Sequence, residues 1–451
     1  MKEQTVMTKQ GMLEGVREDG CIVFKGVPYA EPPVGELRWK APKPLKPWQG
    51  VLKADHFGNR QAQTDRQDPA SFYGKEFYQD TVYATPVSED GLYLNIWVPE
   101  DAREKNAGED SLLPVAFYIH GGGFLGGCGH EVEFRTNAYA RQGVILVTIN
   151  YRLGIWGFFA HPWLAAEDEA ACGNYGIMDQ LAALKWVREN ISAFGGDPEN
   201  ITIFGQSAGC ISTQTLISSP YAKGLFARAI LQSGAGYPIL LQKDVSLEDA
   251  FELGERIVKK AKADSVEALR ALPEEILCDI QTKLIVENMS AGKGLPFWPV
   301  MNGKFRTGTF DELTRTGQIA DVPIMIGSTK DDITVTPDEA KNKNSHLRQS
   351  CKDFALETDK NSHKPCYVYY FQRDLPGDEA GAFHSAELWY MFGTLGQCWR
   401  PMTSGDFALS DQMVRYWTNF MKNGDPNGAG LEKWRPCRVD DPFEMIFDVE
   451  K

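Results

Sequence analysis

The pentapeptide Gly205-Gln206-Ser207-Ala208-Gly209 sets a serine between two glycines where a short apolar run, Ile201 to Phe204, gives way to the helix-compatible stretch Ser207 to Ile217. A strand that turns this sharply into a helix pushes the central serine out at its carboxyl end, and a side chain at either glycine would collide with the neighbouring elements. The hydroxyl then lies at a helix N-terminus, where partial positive charge favours a developing anion. This is how a nucleophile that attacks a carbonyl is presented. A second constellation, His120-Gly121-Gly122-Gly123-Phe124, directly follows the apolar strand Val115 to Ile119. Acyl transfer passes through a tetrahedral oxyanion, and successive glycines let backbone N–H groups converge on that oxygen unobstructed. Gly122, Gly123 and Ala208 are the expected donors.

The serine needs a base, and with this type of nucleophile the chain order is serine, acid, histidine. Only His346, His363 and His384 lie beyond Ser207. The first two sit in polar stretches, KNKNSHLRQ and TDKNSHKP, whereas His384 sits in GAFHSAELWYMFG among small and apolar residues. A base held in one tautomer and shielded from water requires such surroundings, so His384 is the candidate. The strand Val322 to Gly327 ends in Ser328-Thr329-Lys330-Asp331-Asp332, which places two carboxylates in a loop at its carboxyl end. Pattern alone does not choose between Asp331 and Asp332. Phe124, Trp389, Tyr390, Met391 and Phe392 adjoin these motifs and are candidates for an apolar acyl or aryl pocket, with plain core packing as the competing role.

Positioning these groups calls for strands whose carboxyl ends converge. Val144 to Ile149 is a continuous β-branched run of the kind buried on both faces, and Met178 to Phe194 carries apolar residues at helical spacing (Leu181, Leu184, Val187, Ile191). Arg228 to Gln232 and Cys366 to Phe371 read as further strands, and Phe407 to Met421 as an amphipathic helix. Alternating strand and helix predicts an α/β fold with a largely parallel, twisted sheet covered on both faces; the early short runs Cys21 to Val27 and Leu92 to Val98 predict an antiparallel edge. The Pro-rich piece Glu31 to Trp48 reads as an ordered loop. One α/β domain over residues 1–451 accounts for the whole pattern, and segments 242–286 and 335–365, polar and helix-prone, are expected to form cap insertions over the site.

The 451 residues carry a formal net charge of -14, a balance that repels nucleic acid and anionic membrane surfaces. Hydrophobic residues at 43% are those of a globular chain with a sizeable core. No apolar run near Met1 reads as a leader or a membrane span, which points to the cytoplasm. Nine scattered cysteines without close pairs suggest neither a metal site nor a disulfide framework, but free thiols in a reducing compartment.

The chain resembles the type-B carboxylesterase family, which includes cholinesterases, para-nitrobenzyl esterases and the catalytically silent neuroligins. The likeness is carried by FKGVPYAEPPVGELRW from Phe24, SEDGLYLNIWVP from Ser88, HGGGF, NYRLGIWGF from Asn150, and the long run GNYGIMDQLAALKWVRENISAFGGDPENITIFGQSAG from Gly173. It continues in GLFARAILQSG, VPIMIGSTKDD, HSAEL and KNGDPN. The resemblance implies the α/β-hydrolase fold and a Ser207–His384–Asp332 triad, the acid matching the last position of a K-D-E-like motif where members usually carry Glu. It also implies a supporting role for Ser233 in LQSG. A Gly91 stands at the family's disulfide cysteine, and Gln206 stands where many members have Glu, which argues against cholinesterase activity. Asp332 and His384 are 52 positions apart (332 to 384), fewer than the family leads one to expect. This predicts either a site more open to bulky esters or a displaced acid.

These readings converge on hydrolysis of small to medium carboxylic esters through an acyl-enzyme, with no metal or organic cofactor and a small-molecule ester as partner. Amide or carbamate cleavage by the same residues is the alternative within hydrolases. A non-catalytic, neuroligin-like binding protein would lack one of the reacting groups, and all are present. The sequence is silent on oligomeric state and on the natural ester.

Overall fold

The computed structural model describes residues 4–64, 68, 70–78, 84–100, 102, 112–241 and 244–449. Its centre is a ten-stranded sheet: β1 (Val16–Glu18), β2 (Cys21–Pro28), β3 (Tyr93–Pro99), β4 (Leu113–Ile119), β5 (Ile145–Ile149), β6 (Gly196–Gln206), β7 (Arg228–Gln232), β8 (Ile324–Thr329), β9 (Cys366–Phe371) and β10 (Met445–Phe447). Their spatial order is β10-β9-β8-β7-β6-β4-β5-β3-β2-β1. From β10 to β5 every neighbour is parallel, and the three strands beyond β5 are antiparallel. The expected parallel sheet with an antiparallel edge is what forms.

The parallel strands are buried on both faces, and alternate residues feed two separate cores. Val115, Phe117 and Ile119 of β4 join one apolar cluster while Ala116 and Tyr118 join the other; Ile324, Ile326 and Met325 of β8 divide in the same way. This is the two-residue period of a strand with helices above and below. One layer contains the helices Tyr175–Asn190, Ala208–Ile217 and His346–Lys360, through residues such as Leu184, Ile211 and Phe354. The other contains Glu387–Met391 and Ser404–Asn423, through Trp389, Met413 and Trp417.

The Pro-rich stretch after Glu31 is tied down as expected. Arg38 donates from Nε to Glu89 at 2.8 Å, and the buried Trp39 indole donates to the Ile155 carbonyl at 2.9 Å. Of the two expected caps, 335–365 divides: its helix His346–Lys360 packs on β8 and β9. Leu347, Cys351, Phe354 and Ala355 give that helix a buried stripe at helical spacing, so it is a layer of the fold. In the other segment, residues 242 and 243 lie outside the described residues; the remainder forms Leu247–Ala261, Val266–Arg270 and Glu274–Ser290.

The chain leaves β4 toward β5 on one side and reaches β6 on the other. In open α/β sheets such a reversal opens a crevice at the carboxyl ends of the strands. All the sequence-derived reactive groups follow carboxyl ends there: His120 to Gly123 after β4, Ser207 after β6, Asp332 after β8 and His384 after β9.

Candidate active site

Ser207 has φ 58° and ψ −123°, a backbone conformation that costs about 1–3 kcal/mol for a residue with a side chain. The surroundings hold it there. Its N–H donates to the Gln232 carbonyl at 2.9 Å, and its carbonyl accepts from the Ile211 N–H at 3.0 Å as the following helix starts. The turn is tight enough that a Cβ on Gly209 would lie 2.0 Å from the Ile119 carbonyl oxygen.

Across from it, Gly122 takes φ +99°, and its carbonyl accepts from the N–H groups of Leu125 and Gly126 at 3.1 and 3.2 Å. Among the described residues no group accepts from the N–H of Gly122, Gly123 or Ala208. The loop is braced by His120, whose Nδ1 donates to the Gly121 carbonyl at 2.9 Å and whose ring stacks on Tyr151. Burial takes the His120 pKa down to about 4, so the ring is neutral and carries no charge into the loop.

Asp332 and His384 meet: Asp332 Oδ1 is 2.5 Å from His384 Nδ1, and both side chains are buried. Asp332 also accepts from the backbone N–H of Thr329 at 2.9 Å and of Ile333 at 2.8 Å. Burial pushes its pKa up, but the His384 ring and these donors more than offset that, and the carboxyl lies below its usual range. With Nδ1–H directed at Asp332, Nε2 of His384 carries the lone pair. The Gln206 side-chain nitrogen is 3.2 Å from Nε2, a neutral donor where a carboxylate would stand in many relatives by the resemblance. Ser233, fully buried at φ 52°, is near enough to Asp332 to help lower its pKa without closing a hydrogen bond of ordinary geometry.

Asp331 faces away. Its N–H donates to the Ala382 carbonyl at 3.0 Å, and its Oδ2 accepts from the Ala382 N–H at 2.8 Å. It therefore stitches the loop after β8 to the loop that carries His384, and the shortened interval between acid and histidine leaves the two in contact.

Ser207 and His384 open onto one cavity of ≈ 380 Å³, with Gly121, Gly122 and Gly123 on its wall. Its apolar side is Tyr73, Phe77, Phe134 and Leu388. Phe124, Trp389 and Phe392, which chain proximity suggested for this role, do not line it. Phe124 packs edge-on to Phe158, Trp389 stacks on Phe77, and Phe392 lies among Tyr118, Phe134 and Phe204, because their backbone positions turn the rings into the cores. Sequence reasoning missed the polar wall, formed by Arg60, Tyr78, Tyr118, Glu131 and Glu133. The available signal was two acids spaced by one residue in His130-Glu131-Val132-Glu133-Phe134, directly after the glycine loop. Glu387 was also missed: it is fully buried three residues after His384, with its pKa raised to about 8 by burial and then by Asp332. Among the described residues no group of three or more His, Cys, Asp or Glu could hold a metal ion.

A serine on a strand-to-helix turn at the carboxyl edge of a mostly parallel sheet, beside a glycine loop, defines an α/β-hydrolase. The chain belongs to the carboxylesterase family, which it matches over residues 2–363 and 344–450. It is 34% identical over 496 residues to the para-nitrobenzyl esterase of Bacillus subtilis (strain 168), covering 100% of this chain and 96% of that one. It is also 34% identical to the fumonisin B1 esterase of Sphingopyxis macrogoltabida, over 95% of this chain and 83% of that one. A solved para-nitrobenzyl esterase structure superposes with a TM-score of 0.85 at 30% identity, covering 100% of this chain and 96% of the other. The carboxylesterase of Geobacillus stearothermophilus superposes at 0.79 with 33% identity, over 99% and 96%. The chain is a carboxylic ester hydrolase.

Proposed function

We propose that this enzyme cleaves small to medium carboxylic esters by two-step acyl transfer. Ser207 Oγ gives its proton to His384 Nε2 and attacks the ester carbonyl; the oxyanion is held by the N–H groups of Gly122, Gly123 and Ala208. The alcohol leaves with the proton from His384, and water repeats the sequence on the acyl-enzyme. Asp332 holds His384 in the tautomer whose Nε2 accepts, and Ser233 supports Asp332 from below. The observation that carries this reading is the 2.5 Å contact between Asp332 and His384 at the edge of the cavity that Ser207 enters. The size of that cavity supports esters of modest bulk. The cytoplasm is the compartment we assign, on nine free cysteines, most of them buried.

The test is para-nitrophenol release from acetate, butyrate and octanoate esters by the wild type and by Ser207→Ala, His384→Ala and Asp331→Asn. The first two variants are expected to lose activity on all three esters and the third to keep it. Equal turnover by the wild type and Ser207→Ala would remove Ser207 from the reaction.

A further inference from the structure

The polar wall of the cavity has no role in the chemistry above. Glu131 and Glu133 flank Val132 at the short turn Val132–Phe134, and burial pushes both carboxyls above their usual range, Glu133 further through the charge of Glu131. Glu131 Oε1 is already engaged, accepting from the Tyr78 hydroxyl at 3.1 Å and the Cys128 N–H at 3.2 Å. Two atoms remain without a protein partner although both are buried: Glu133 Oε2 and the hydroxyl of Tyr118. Both residues line the same cavity as Ser207, and they are 2% and 0% exposed. A buried polar atom left unpaired costs about 1–3 kcal/mol, so an acceptor and a donor both left unpaired on the wall of one binding cavity mark the place of a group that supplies both partners.

The structure assigns this recess, on the reading of the cavity as an ester site, to a hydroxyl of the substrate: we infer that the enzyme prefers hydroxylated esters, whose hydroxyl donates to Glu133 Oε2 and accepts from Tyr118. A hydroxyl is the small group that donates and accepts at once. An ammonium only donates and would leave the Tyr118 hydroxyl unmet. The charge count agrees. With burial pushing both carboxyls up, the pair carries at most about one negative charge, and the buried Arg60 on the same wall offsets it, so the recess has no excess charge to draw a cation. Burial and then Glu133 push the Tyr118 phenol well above its usual range, which keeps it a donor at every working pH.

The probes are matched esters that differ by one terminal group, followed by pH-stat titration of released acid: butyl, 4-hydroxybutyl and 4-(dimethylamino)butyl acetates on the alcohol side, methyl hexanoate and methyl 6-hydroxyhexanoate on the acyl side. On at least one side the wild type is expected to favour the hydroxylated ester over its plain partner by about tenfold or more in kcat/KM, the gain from a bond made to a buried unpaired group. Tyr118→Phe, which deletes one atom, and Glu133→Leu should each bring that ratio to one or below. Since the readout is a ratio within each variant, a general loss of folded enzyme does not move it. A ratio near one in the wild type on both sides would overturn the inference and leave the recess to bound water. A preference for the amino ester would overturn it in favour of a cation subsite. If the plain esters are not hydrolysed either, the esterase reading itself has failed; if they are and the ratios are flat, only the inference has.

Discussion

Replacing Asp332 by Asn keeps the size of the side chain and removes one acceptor. The carboxylate receives three donors: His384 Nδ1–H and the Ile333 N–H on Oδ1, and the Thr329 N–H on Oδ2. An asparagine brings one oxygen and one NH2. With the oxygen toward His384, the NH2 meets the Thr329 N–H and a buried donor goes unpaired, at about 1–3 kcal/mol of stability. With the amide reversed, the NH2 faces His384 and the ring takes the other tautomer, with Nε2 protonated and unable to accept from Ser207. That tautomer costs about 10⁴ in kcat in enzymes of this mechanism, or roughly 5 kcal/mol of barrier. The reversed amide also sets two NH groups against the Ile333 N–H, so neither arrangement escapes a penalty. We expect kcat for para-nitrophenyl butyrate to fall by ~10³–10⁴ with KM little changed. Stability gives a second, independent reading. The folded pKa of Asp332 lies below the unfolded value of about 3.9, so its contribution is complete above that pH and is lost as pH falls through the folded value. The Tm gap between wild type and Asp332→Asn should therefore be full at pH 6 and narrow below pH 4. An Asn variant within about tenfold of wild-type kcat, melting at the same temperature at pH 6, would refute the role of Asp332 as orienting acid.

Gly122→Ala would set a Cβ 2.0 Å from the Gly126 carbonyl at a φ of +99°, so the loop must move and its N–H leaves the oxyanion position; kcat should fall by ~10²–10³, measured beside a circular dichroism melt. Asp331→Asn retains an oxygen for the Ala382 N–H, and its kcat should stay within about tenfold of wild type, unlike its neighbour's. Glu387 has a folded pKa of about 8 against an unfolded value near 4.5, so the folded chain holds a proton that the unfolded chain releases, and stability falls as pH rises between these values. Glu387→Gln should flatten the decline in Tm from pH 5 to pH 8; an unchanged slope would show that the proton is not held there. Arg400 bonds Glu76 and Asp378, and its side chain and that of Glu76 are fully buried, so Arg400→Met leaves Glu76 with an unpaired charge. It should cost ~3–5 kcal/mol in urea denaturation, and should lower activity through Phe72–Phe77, the helix that carries Glu76 along with Tyr73 and Phe77 of the cavity wall.

What the sequence made legible has a physical pattern. β4 to β9 and the helices behind them could be read because a strand buried on both faces must be apolar throughout and a layer helix must keep its stripe; the expected and observed spans of Arg228–Gln232 and Cys366–Phe371 coincide. The placement of Ser207 and of the glycine loop at one cavity could be read because it depends on backbone conformation, and the glycines that permit it are visible as letters. Elimination among the three histidines after Ser207 led to His384, the one that lies against Asp332 at the cavity. The choice between Asp331 and Asp332 was not in the pattern: adjacent residues point opposite ways, and which one faces His384 is decided by the bridge from Asp331 to Phe383, a pairing between loops 52 residues apart. The cavity wall was further from reach. Chain proximity favoured Phe124, Trp389 and Phe392, yet a residue beside a reacting group in sequence is often turned from it in space, as these three are into the cores. The wall is assembled instead from the helix Phe72–Phe77 and the turn after the glycine loop, where Glu131 and Glu133 look in sequence like solvated charges. Glu133 is buried because the turn Val132–Phe134 packs Phe134 against Tyr118 and Phe392 and carries Glu133 inward with it. Two carboxyls taken out of water together hold on to a proton between them. A charge pair that reads as surface decoration thus becomes the polar end of a cavity whose other side is apolar.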